Sequence, residues 1–435
     1  DMRLETRAVR AARGHVAMEL PVEKGQPHVP LIDLSTTYTF ERSSAVAESM
    51  DALIEGAGEA PNPVYARLRN PTVAGFENAL ADLESAEAAV AFASGMAAIT
   101  AMVMAAGSDA APEGWARGRH IVAIRPIYGG TDHLLATGML GTEVTWAEPD
   151  EVAQSLREDT YLVLLETPAN PTLAMVDIAD VVSQVRATEK RFGHRVAVAV
   201  DNTFATPILQ RPLELGADLV VHSATKFLGG HGDVMGGVVA TSEDWAKPLR
   251  QTRMITGGVL HPLAGYLLHR GLQTLPVRVA AQQTSAGIIA ARLAGHPEVI
   301  EVHYPGLNGD GSEDRLLQTQ QEGAGSLLAF RVRGGREASE RVLESLELIS
   351  RAVSLGSVDT LIQAPAALTH RVVDPESREA AGVPEDLLRL SVGLEAVDDL
   401  WFDLRQALEP VHRERPHWES FRPQPESGIT EGVGV

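Results

Sequence analysis

Residues 219–231 read Leu219-Val220-Val221-His222-Ser223-Ala224-Thr225-Lys226-Phe227-Leu228-Gly229-Gly230-His231, so that a lysine closely follows a short apolar run. The run Leu219–Val221 has the length of a buried strand, and two hydroxyl residues stand between it and the lysine. A lysine at the end of a buried strand is costly unless its amine is neutral, paired or covalently used. The stretch therefore predicts a strand of an α/β sheet with a reactive amine beyond its carboxyl end.

Similar apolar runs recur between helical segments through the middle of the chain. They are Ala89–Phe92, Ile121–Ile124, Leu162–Leu165, Val196–Val200 and Gly237–Ala240. Continuous Val, Ile, Leu and Ala without alternation indicates strands that are buried on both faces. Strand–helix–strand order predicts right-handed crossovers and a mostly parallel sheet. Because such sheets bind ligands beyond the carboxyl ends of their strands, the residues after each run are the candidate site.

Five kinds of chemical group follow these runs. Ser94, Gly95 and Met96 open a helix, and a helix N-terminus can bind phosphate through its free N–H groups. The later runs are followed by the Gly-flanked Tyr128, the proline-bracketed Asn170, the acid Asp201, and the hydroxyl residues Ser223 and Thr225. Each feature alone is equally compatible with a capped helix, a turn aromatic, a rigid turn or a structural ion pair.

Together, a phosphate cradle, a stacking ring, a buried acid and a lysine form the set that pyridoxal phosphate requires. Lysine forms a Schiff base with this cofactor, and an acid keeps the pyridine nitrogen protonated so that the ring can accept electrons. The chain holds only four lysines, and three of them, Lys24, Lys190 and Lys247, lie in polar, charged or Pro/Gly-rich surroundings. Lys226 is therefore the candidate for binding the cofactor.

Composition excludes several other classes of protein. The formal charge of −21 argues against a binder of nucleic acid or anionic lipid, and the absence of cysteine excludes disulfides, thiolate metal sites and thiol catalysis. The 14 histidines show no metal-ligand spacing, so no metal is expected, and no P-loop or common hydrolase motif occurs. No apolar run is long enough to span a membrane, and no signal peptide is evident, so we expect a cytoplasmic protein.

Changes in composition and hydrophobic periodicity divide the chain into four parts. Residues 1–70 are rich in proline and predict an N-terminal arm, and residues 71–261 carry the strand and helix pattern of a large cofactor-binding domain. Residues 262–411 predict a smaller α+β domain with helices around 262–275, 276–294, 336–349 and 397–410 and a strand at Ser326–Arg333. Residues 412–435 form a polar, proline-rich tail.

From about Thr6 to Leu408 the sequence resembles the cystathionine γ-synthase-like, Cys/Met-metabolism family of pyridoxal-phosphate enzymes of fold type I. Residues 222–231 match the most specific motif of that family. Further matches are Tyr65-Ala66-Arg67-Leu68-Arg69-Asn70-Pro71-Thr72, Ala93-Ser94-Gly95-Met96-Ala97-Ala98, Glu166-Thr167-Pro168-Ala169-Asn170-Pro171 and Arg389-Leu390-Ser391-Val392-Gly393-Leu394-Glu395. The resemblance implies an aminotransferase-like α/β fold, with a mostly parallel sheet in the large domain and a smaller α+β C-terminal domain.

The resemblance also implies roles around the cofactor. Lys226 would bind it and shuttle protons, Asp201 would pair with the pyridine nitrogen, and Tyr128 would stack on the ring and exchange protons. The residues implied to hold the phosphate are Ser94, Gly95, Met96, Ser223 and Thr225. Tyr65 and Arg67 would reach the phosphate of a neighbouring subunit, which implies at least a dimer and usually a homotetramer.

At the substrate, the resemblance implies that Arg389 clamps the carboxylate of an amino acid with the help of Ser354 and Asn170. Val64 and Val353 stand where cystathionine γ-lyases usually carry acids, and two valines make a pocket that suits a thioether methyl group. This favours γ-elimination on L-methionine, as in methionine γ-lyases, to methanethiol, 2-oxobutanoate and ammonia.

Two positions favour transsulfuration instead. Gly130 stands where methionine lyases typically have cysteine, and Arg253-Met254 aligns with their Lys-Asp pair. Cystathionine γ-lyase or γ-synthase is therefore the alternative activity. Ser354-Leu355-Gly356 makes an O-acetylhomoserine sulfhydrylase a weaker alternative, since those enzymes commonly have Asn-Val-Gly there. A non-catalytic sensor of the same fold is disfavoured because the lysine, acid, tyrosine and arginine of the site are all present.

Overall fold

The computed structural model describes residues 2–11, 27–307 and 311–409. The predicted tail at 412–435 and part of the predicted arm, including Lys24, lie outside these ranges. The helices are α1 (Leu4–Arg10), α2 (Ser43–Ile54), α3 (Pro71–Leu83), α4 (Gly95–Gly107), α5 (Gly129–Ala136), α6 (Val152–Ser155), α7 (Ile178–Phe192), α8 (Thr206–Leu209), α9 (Glu243–Thr256), α10 (Pro262–Leu272), α11 (Leu275–Ala294), α12 (Ser312–Thr319), α13 (Gly335–Ser345), α14 (Pro375–Ala380) and α15 (Val397–Leu408). The strands are β1 (Ala88–Phe92), β2 (His120–Ile124), β3 (Glu143–Ala147), β4 (Thr160–Glu166), β5 (Ala197–Asp201), β6 (Leu219–His222), β7 (Gly237–Thr241), β8 (Val299–His303), β9 (Leu327–Val332), β10 (Ser350–Arg351), β11 (Leu361–Gln363) and β12 (Leu387–Ser391).

A seven-stranded sheet has the order β1-β7-β6-β5-β4-β2-β3. Strand β7 runs antiparallel to both of its neighbours, and the remaining pairs are parallel. Six of its strands correspond to the apolar runs in the sequence, so the predicted fold class is confirmed. Strand β3 was missed because it is an edge strand with little buried surface and a mixed sequence.

A second sheet of five strands has the order β10-β11-β12-β9-β8 and is mainly antiparallel. Among these strands, only β9 was predicted from the sequence. Strands β10 and β11 have two and three residues and give no periodic signal, and the five-residue strands β8 and β12 were also missed. The predicted helix at 336–349 ends at Ser345, and the last predicted helix ends at Leu408. The first sheet lies within residues 71–261 and the second within 262–411, and the domain boundaries themselves remain predictions.

Two hydrophobic clusters cover the two faces of the first sheet. One contains Met102 of α4 and Val198 of β5. The other contains Val220 of β6 and continues through α10 and α11 to Phe330 and Leu390 of the second sheet. The two sheets therefore share one continuous core, which fixes the cleft between them.

Local capping sets the positions of two helices near this cleft. The Asn70 side chain accepts hydrogen bonds from the N–H groups of Thr72 and Val73 and so begins α3. The Ser94 side chain accepts a hydrogen bond from the N–H of Ala97 and begins α4, directly after β1.

Among the described residues, no helix combines the length and hydropathy that a membrane span needs.

Candidate active site

A cavity of about 470 Å³ lies at the carboxyl ends of β4, β5 and β6 and extends to the second sheet. All but three of the predicted site residues line it. They are Ser94, Gly95, Met96, Tyr128, Asn170, Asp201, Ser223, Thr225, Lys226, Val353, Ser354 and Arg389. The rule that ligands bind beyond parallel strands therefore predicted the location of the cavity correctly.

Val64, Tyr65 and Arg67 do not line this cavity. The Tyr65 side chain is 41% exposed, and the Arg67 guanidinium lies 5.5 Å from the centre of its ring. Arg67 Nη1 donates to the carbonyl oxygen of Met254 at 2.7 Å. A role of Tyr65 and Arg67 in the site of a neighbouring subunit remains a prediction, and so does the pocket formed by Val64 with Val353.

One end of the cavity is lined by hydroxyl groups and by the start of α4. A Cβ added at Gly95 would lie 2.9 Å from the Cβ of Ser223, so glycine permits this close approach of helix and loop. Thr225 Oγ1 exchanges hydrogen bonds with the backbone of Gly236, which fixes the loop that precedes Lys226. Because the first N–H groups of a helix lack intrahelical acceptors, this end can bind an anion.

The amine of Lys226 lies inside the cavity and donates a hydrogen bond to Ser354 Oγ at 2.8 Å. Burial, with a smaller contribution from the charge of Arg389, lowers the pKa of Lys226 to about 8. Ser354 has a φ of 92°, a left-handed conformation that costs a non-glycine residue energy. The lowered pKa of Lys226 leaves a larger neutral, nucleophilic fraction of this amine near neutral pH than an exposed lysine has.

Asp201, the last residue of β5, is nearly buried within the cavity wall. Its Oδ1 atom accepts hydrogen bonds from the N–H of Thr203 at 3.0 Å and from the Thr203 hydroxyl at 2.5 Å. Thr203 Oγ1 in turn accepts from the N–H of Ser223, so the ends of β5 and β6 are tied together. Burial raises the pKa of Asp201, and the hydrogen bonds from Thr203 oppose that rise.

Arg389 comes from β12 of the second sheet and is buried against the loop after β4. Its Nη1 atom donates to Asn170 Oδ1 at 2.7 Å, and its Nη2 atom donates to the carbonyl oxygen of Ser354 at 2.9 Å. Burial lowers the pKa of Arg389 to about 10, which still leaves it charged at neutral pH. A buried guanidinium held in this way is suited to recognising a carboxylate.

Tyr128 immediately precedes α5, so Gly129 and Gly130 belong to the first turn of a helix. A Cβ added at Gly130 would lie 2.7 Å from Cε1 of Tyr128 and 3.2 Å from the sulfur of Met96. Because glycine has no side chain, the Tyr128 ring can pack closely against residue 130.

Glu166, the last residue of β4, was missed as a site residue although it lies within a quoted motif. Its two oxygens accept hydrogen bonds from the N–H groups of Tyr128 and Asn170. Like Asp201 it is an acid at the end of a buried strand, and that signal could have identified it. The other missed lining residues come mainly from loops and helices and carry no such signal: Ile99, Thr203, Phe204, Met235, Leu355, Leu368 and Thr369.

The outer part of the cavity has an apolar side. Met235, Val353 and Leu368 line it with side chains that are 63%, 55% and 50% exposed in the single chain. They belong to three different loops, after β6, β10 and β11. This side can contact an apolar group of a ligand that also reaches Arg389.

The donor groups of the cavity fit pyridoxal phosphate. Glycine and hydroxyl groups at a helix N-terminus suit a phosphate, a buried carboxylate suits a ring nitrogen, and a lysine of lowered pKa suits an aldehyde. Gly95 also fits a phosphate-binding cradle, because a side chain at this position would press against Ser223.

Comparisons with known proteins agree with this chemistry. Residues 15–409 match the family model described as Cys/Met metabolism PLP-dependent enzyme. An L-methionine γ-lyase of Brevibacterium sandarakinum is 51% identical over 397 residues, covering 91% of this chain and 96% of that protein. An L-methionine γ-lyase of Streptomyces avermitilis is 52% identical over 406 residues, covering 93% and 89%.

Solved structures show the same relationship in three dimensions. The crystal structure of cystathionine γ-lyase from Lactobacillus plantarum, complexed with L-serine, superposes with a TM-score of 0.80 at 32% identity, covering 93% of this chain and 98% of that one. The fold is that of fold-type-I enzymes, with a mainly parallel central sheet and a smaller C-terminal part. This chain belongs to the family of Cys/Met metabolism PLP-dependent enzymes, which act on sulfur amino acids.

Proposed function

We propose that this chain catalyses the γ-elimination of L-methionine, in which L-methionine and water give methanethiol, 2-oxobutanoate and ammonia. The observation that carries the proposal is the apolar side formed by Met235, Val353 and Leu368, which faces the same cavity as Lys226 and Arg389. A thioether methyl group needs apolar contact, whereas the distal ammonium of cystathionine needs an acid. Relatives that are 51% and 52% identical and carry the name L-methionine γ-lyase support it.

When bound, pyridoxal phosphate supplies an electron sink that makes the proton on Cα, and then a proton on Cβ, of the substrate acidic. We assign its phosphate to Gly95, Met96, Ser223 and Thr225 with the capping residue Ser94, and its ring nitrogen to Asp201. A positive charge on that nitrogen would lower the pKa of Asp201 again and keep it ionised.

The proposed work of the protein groups is proton transfer and orientation. The neutral amine of Lys226 takes the proton from Cα and would pass it on to the bound cofactor. The amine, now neutral again, then takes a proton from Cβ of the substrate. The Tyr128 hydroxyl delivers a proton to the departing sulfur, so that methanethiol leaves in neutral form. Arg389, which is held by Asn170 and Ser354, fixes the carboxylate and so orients the Cα–H bond toward Lys226.

Cystathionine γ-lyase or γ-synthase activity is the second candidate. Gly130 supports it, because transsulfuration enzymes have glycine there, and so does the structural similarity to cystathionine γ-lyase. The same Lys226, Tyr128 and Arg389 would serve this reaction, and only the contact to the distal end of the substrate would differ.

We propose that the functional unit is a homo-oligomer, which is at least a dimer and, as is usual in the family, a homotetramer. The arm exposes a series of large apolar side chains, among them Leu34 and Phe40 at 62% and 59% exposure, which a second copy of the chain would cover. Tyr65 and Arg67 lie outside the cavity of their own chain and are available to the site of such a copy. A cytoplasmic location, where free amino acids are available, is part of the same proposal.

The test is the release of 2-oxobutanoate by the purified holoenzyme, with L-methionine and L-cystathionine compared at equal low concentration. We expect a higher kcat/KM for methionine, and the Lys226→Ala variant serves as the blank. A higher kcat/KM for cystathionine would replace the first assignment with the second.

A further inference from the structure

Glu166 is a buried acid at the centre of the site whose side chain makes two backbone contacts. It is 3% exposed and ends β4. Its Oε2 atom accepts from the N–H of Tyr128 at 2.6 Å, and its Oε1 atom accepts from the N–H of Asn170 at 3.1 Å. One carboxyl group therefore connects the segment that begins α5 with the loop that follows β4.

The two segments held by Glu166 carry different parts of the proposed machinery. Tyr128 brings the phenol ring, and the Asn170 side chain accepts the hydrogen bond from Arg389 Nη1 at 2.7 Å. A shift of either N–H group would thus move either the ring or the clamp, and Glu166 holds the distance between them.

Glu166 is buried beside a second acid and near a buried arginine, unlike an acid at the protein surface. It is paired in register with Asp201 on the neighbouring strand, and both side chains line the cavity. Burial and the nearby Asp201 raise the pKa of Glu166 well above its usual range, while the N–H groups of Tyr128 and Asn170 and the charge of Arg389 act in the opposite direction.

We propose that Glu166 is a positioning residue that couples the Tyr128 segment to the Asn170–Arg389 clamp, so that binding of the substrate carboxylate depends on it. The inference rests on the proposed function for the identity of the substrate carboxylate. In this role Glu166 acts through the backbone N–H groups of Tyr128 and Asn170.

The test uses the Glu166→Gln variant as holoenzyme and L-norleucine as the probe. Norleucine carries the carboxylate and an apolar chain like that of methionine but has no leaving group on Cγ. Its binding is followed by the change in visible absorbance of the cofactor. Glutamine keeps the shape of the side chain but has only one acceptor oxygen, so one N–H group is left unpaired.

We expect the dissociation constant for norleucine to rise roughly tenfold in Glu166→Gln, because an unpaired buried donor is costly. The dissociation constant of the cofactor should change less than threefold. The matched control is Asp403→Asn, since Asp403 is a buried acid whose two oxygens accept hydrogen bonds from the N–H groups of Glu347, Leu348 and Ile349, and it does not line the cavity. It should leave norleucine binding unchanged.

A double-variant experiment separates positioning from a purely structural effect. If Glu166 acts through Asn170, adding Glu166→Gln to an Asn170→Ala protein should weaken norleucine binding further by less than twofold. A full tenfold loss in that background, or unchanged norleucine binding in Glu166→Gln alone, would overturn the inference.

Two further results keep the inference distinct from the proposed function. Should Glu166→Gln fail to fold, Glu166→Asp keeps the carboxyl group but is one methylene shorter and cannot reach both N–H groups, so the same loss of affinity is expected. A wild-type protein that binds norleucine but releases no 2-oxobutanoate from methionine contradicts the proposed function alone, because the norleucine measurement does not depend on elimination.

Discussion

The floor and the mouth of the cavity are built in different ways. The floor consists of Glu166, Asp201, Ser223 and Lys226, which stand at the ends of neighbouring parallel strands or just beyond them. The mouth consists of Met235, Val353 and Leu368, which come from three separate loops and are half or more exposed. The floor is fixed by the hydrogen bonds of the sheet and carries the chemistry, whereas the mouth can vary without disturbing it and is suited to selecting the substrate.

The largest effect should come from removing the amine of the floor. Lys226→Ala is expected to abolish both the visible absorbance of the bound cofactor in its lysine-linked form and turnover, because no other lysine within the described ranges lines the cavity. Absorbance spectra and 2-oxobutanoate release measure the two outcomes. A variant with full activity would disprove the assignment of the cofactor site.

A smaller loss is expected from Arg389→Lys, which keeps the charge but loses the planar fork. The hydrogen bonds that Arg389 makes to Asn170 and to the Ser354 carbonyl cannot both be made by an ammonium while it also binds a carboxylate. We expect KM for methionine to rise about a hundredfold with a smaller change in kcat. Steady-state kinetics measure KM and kcat for methionine, and an unchanged KM would show that Arg389 does not bind the substrate carboxylate.

The lowered pKa of Lys226 predicts how cofactor capture depends on pH. Only the neutral amine reacts, so the rate at which the apoprotein gains visible absorbance should rise about tenfold per pH unit below pH 8 and level off above it. Because the charge of Arg389 helps to lower this pKa, Arg389→Gln should shift the midpoint to higher pH. The exposed Arg336→Gln serves as the control and should leave the midpoint in place, and a midpoint near 10 in the wild type would contradict the prediction.

The smallest effect should come from the mouth. Val353→Glu places an acid beside the apolar side of the cavity and should lower the methionine-to-cystathionine ratio of kcat/KM by about fivefold to tenfold. Val372→Glu is the matched control, since Val372 is equally exposed and does not line the cavity. If both variants keep the wild-type ratio, Val353 does not contact the substrate.

The same contrast explains what could be predicted from the sequence. Strands β1, β2 and β4–β7 are continuous apolar runs, so their position and the residues after them were predictable. Edge strand β3 and the short strands β10 and β11 lack that signal. In the site, Asp201 ends β5 and Lys226 closely follows β6, whereas Met235 and Leu368 reach the cavity only through tertiary packing of loops.

The shared hydrophobic core has a consequence for motion. Because a single cluster runs from Val220 of the first sheet to Leu390 of the second, separating the sheets would expose apolar surface that is now fully buried. Wide hinge opening is therefore expensive, and access to the cavity is left to small shear movements and to the loops around Val353 and Leu368. For the same reason the two sheets should melt together in one cooperative transition and not as independent folding units.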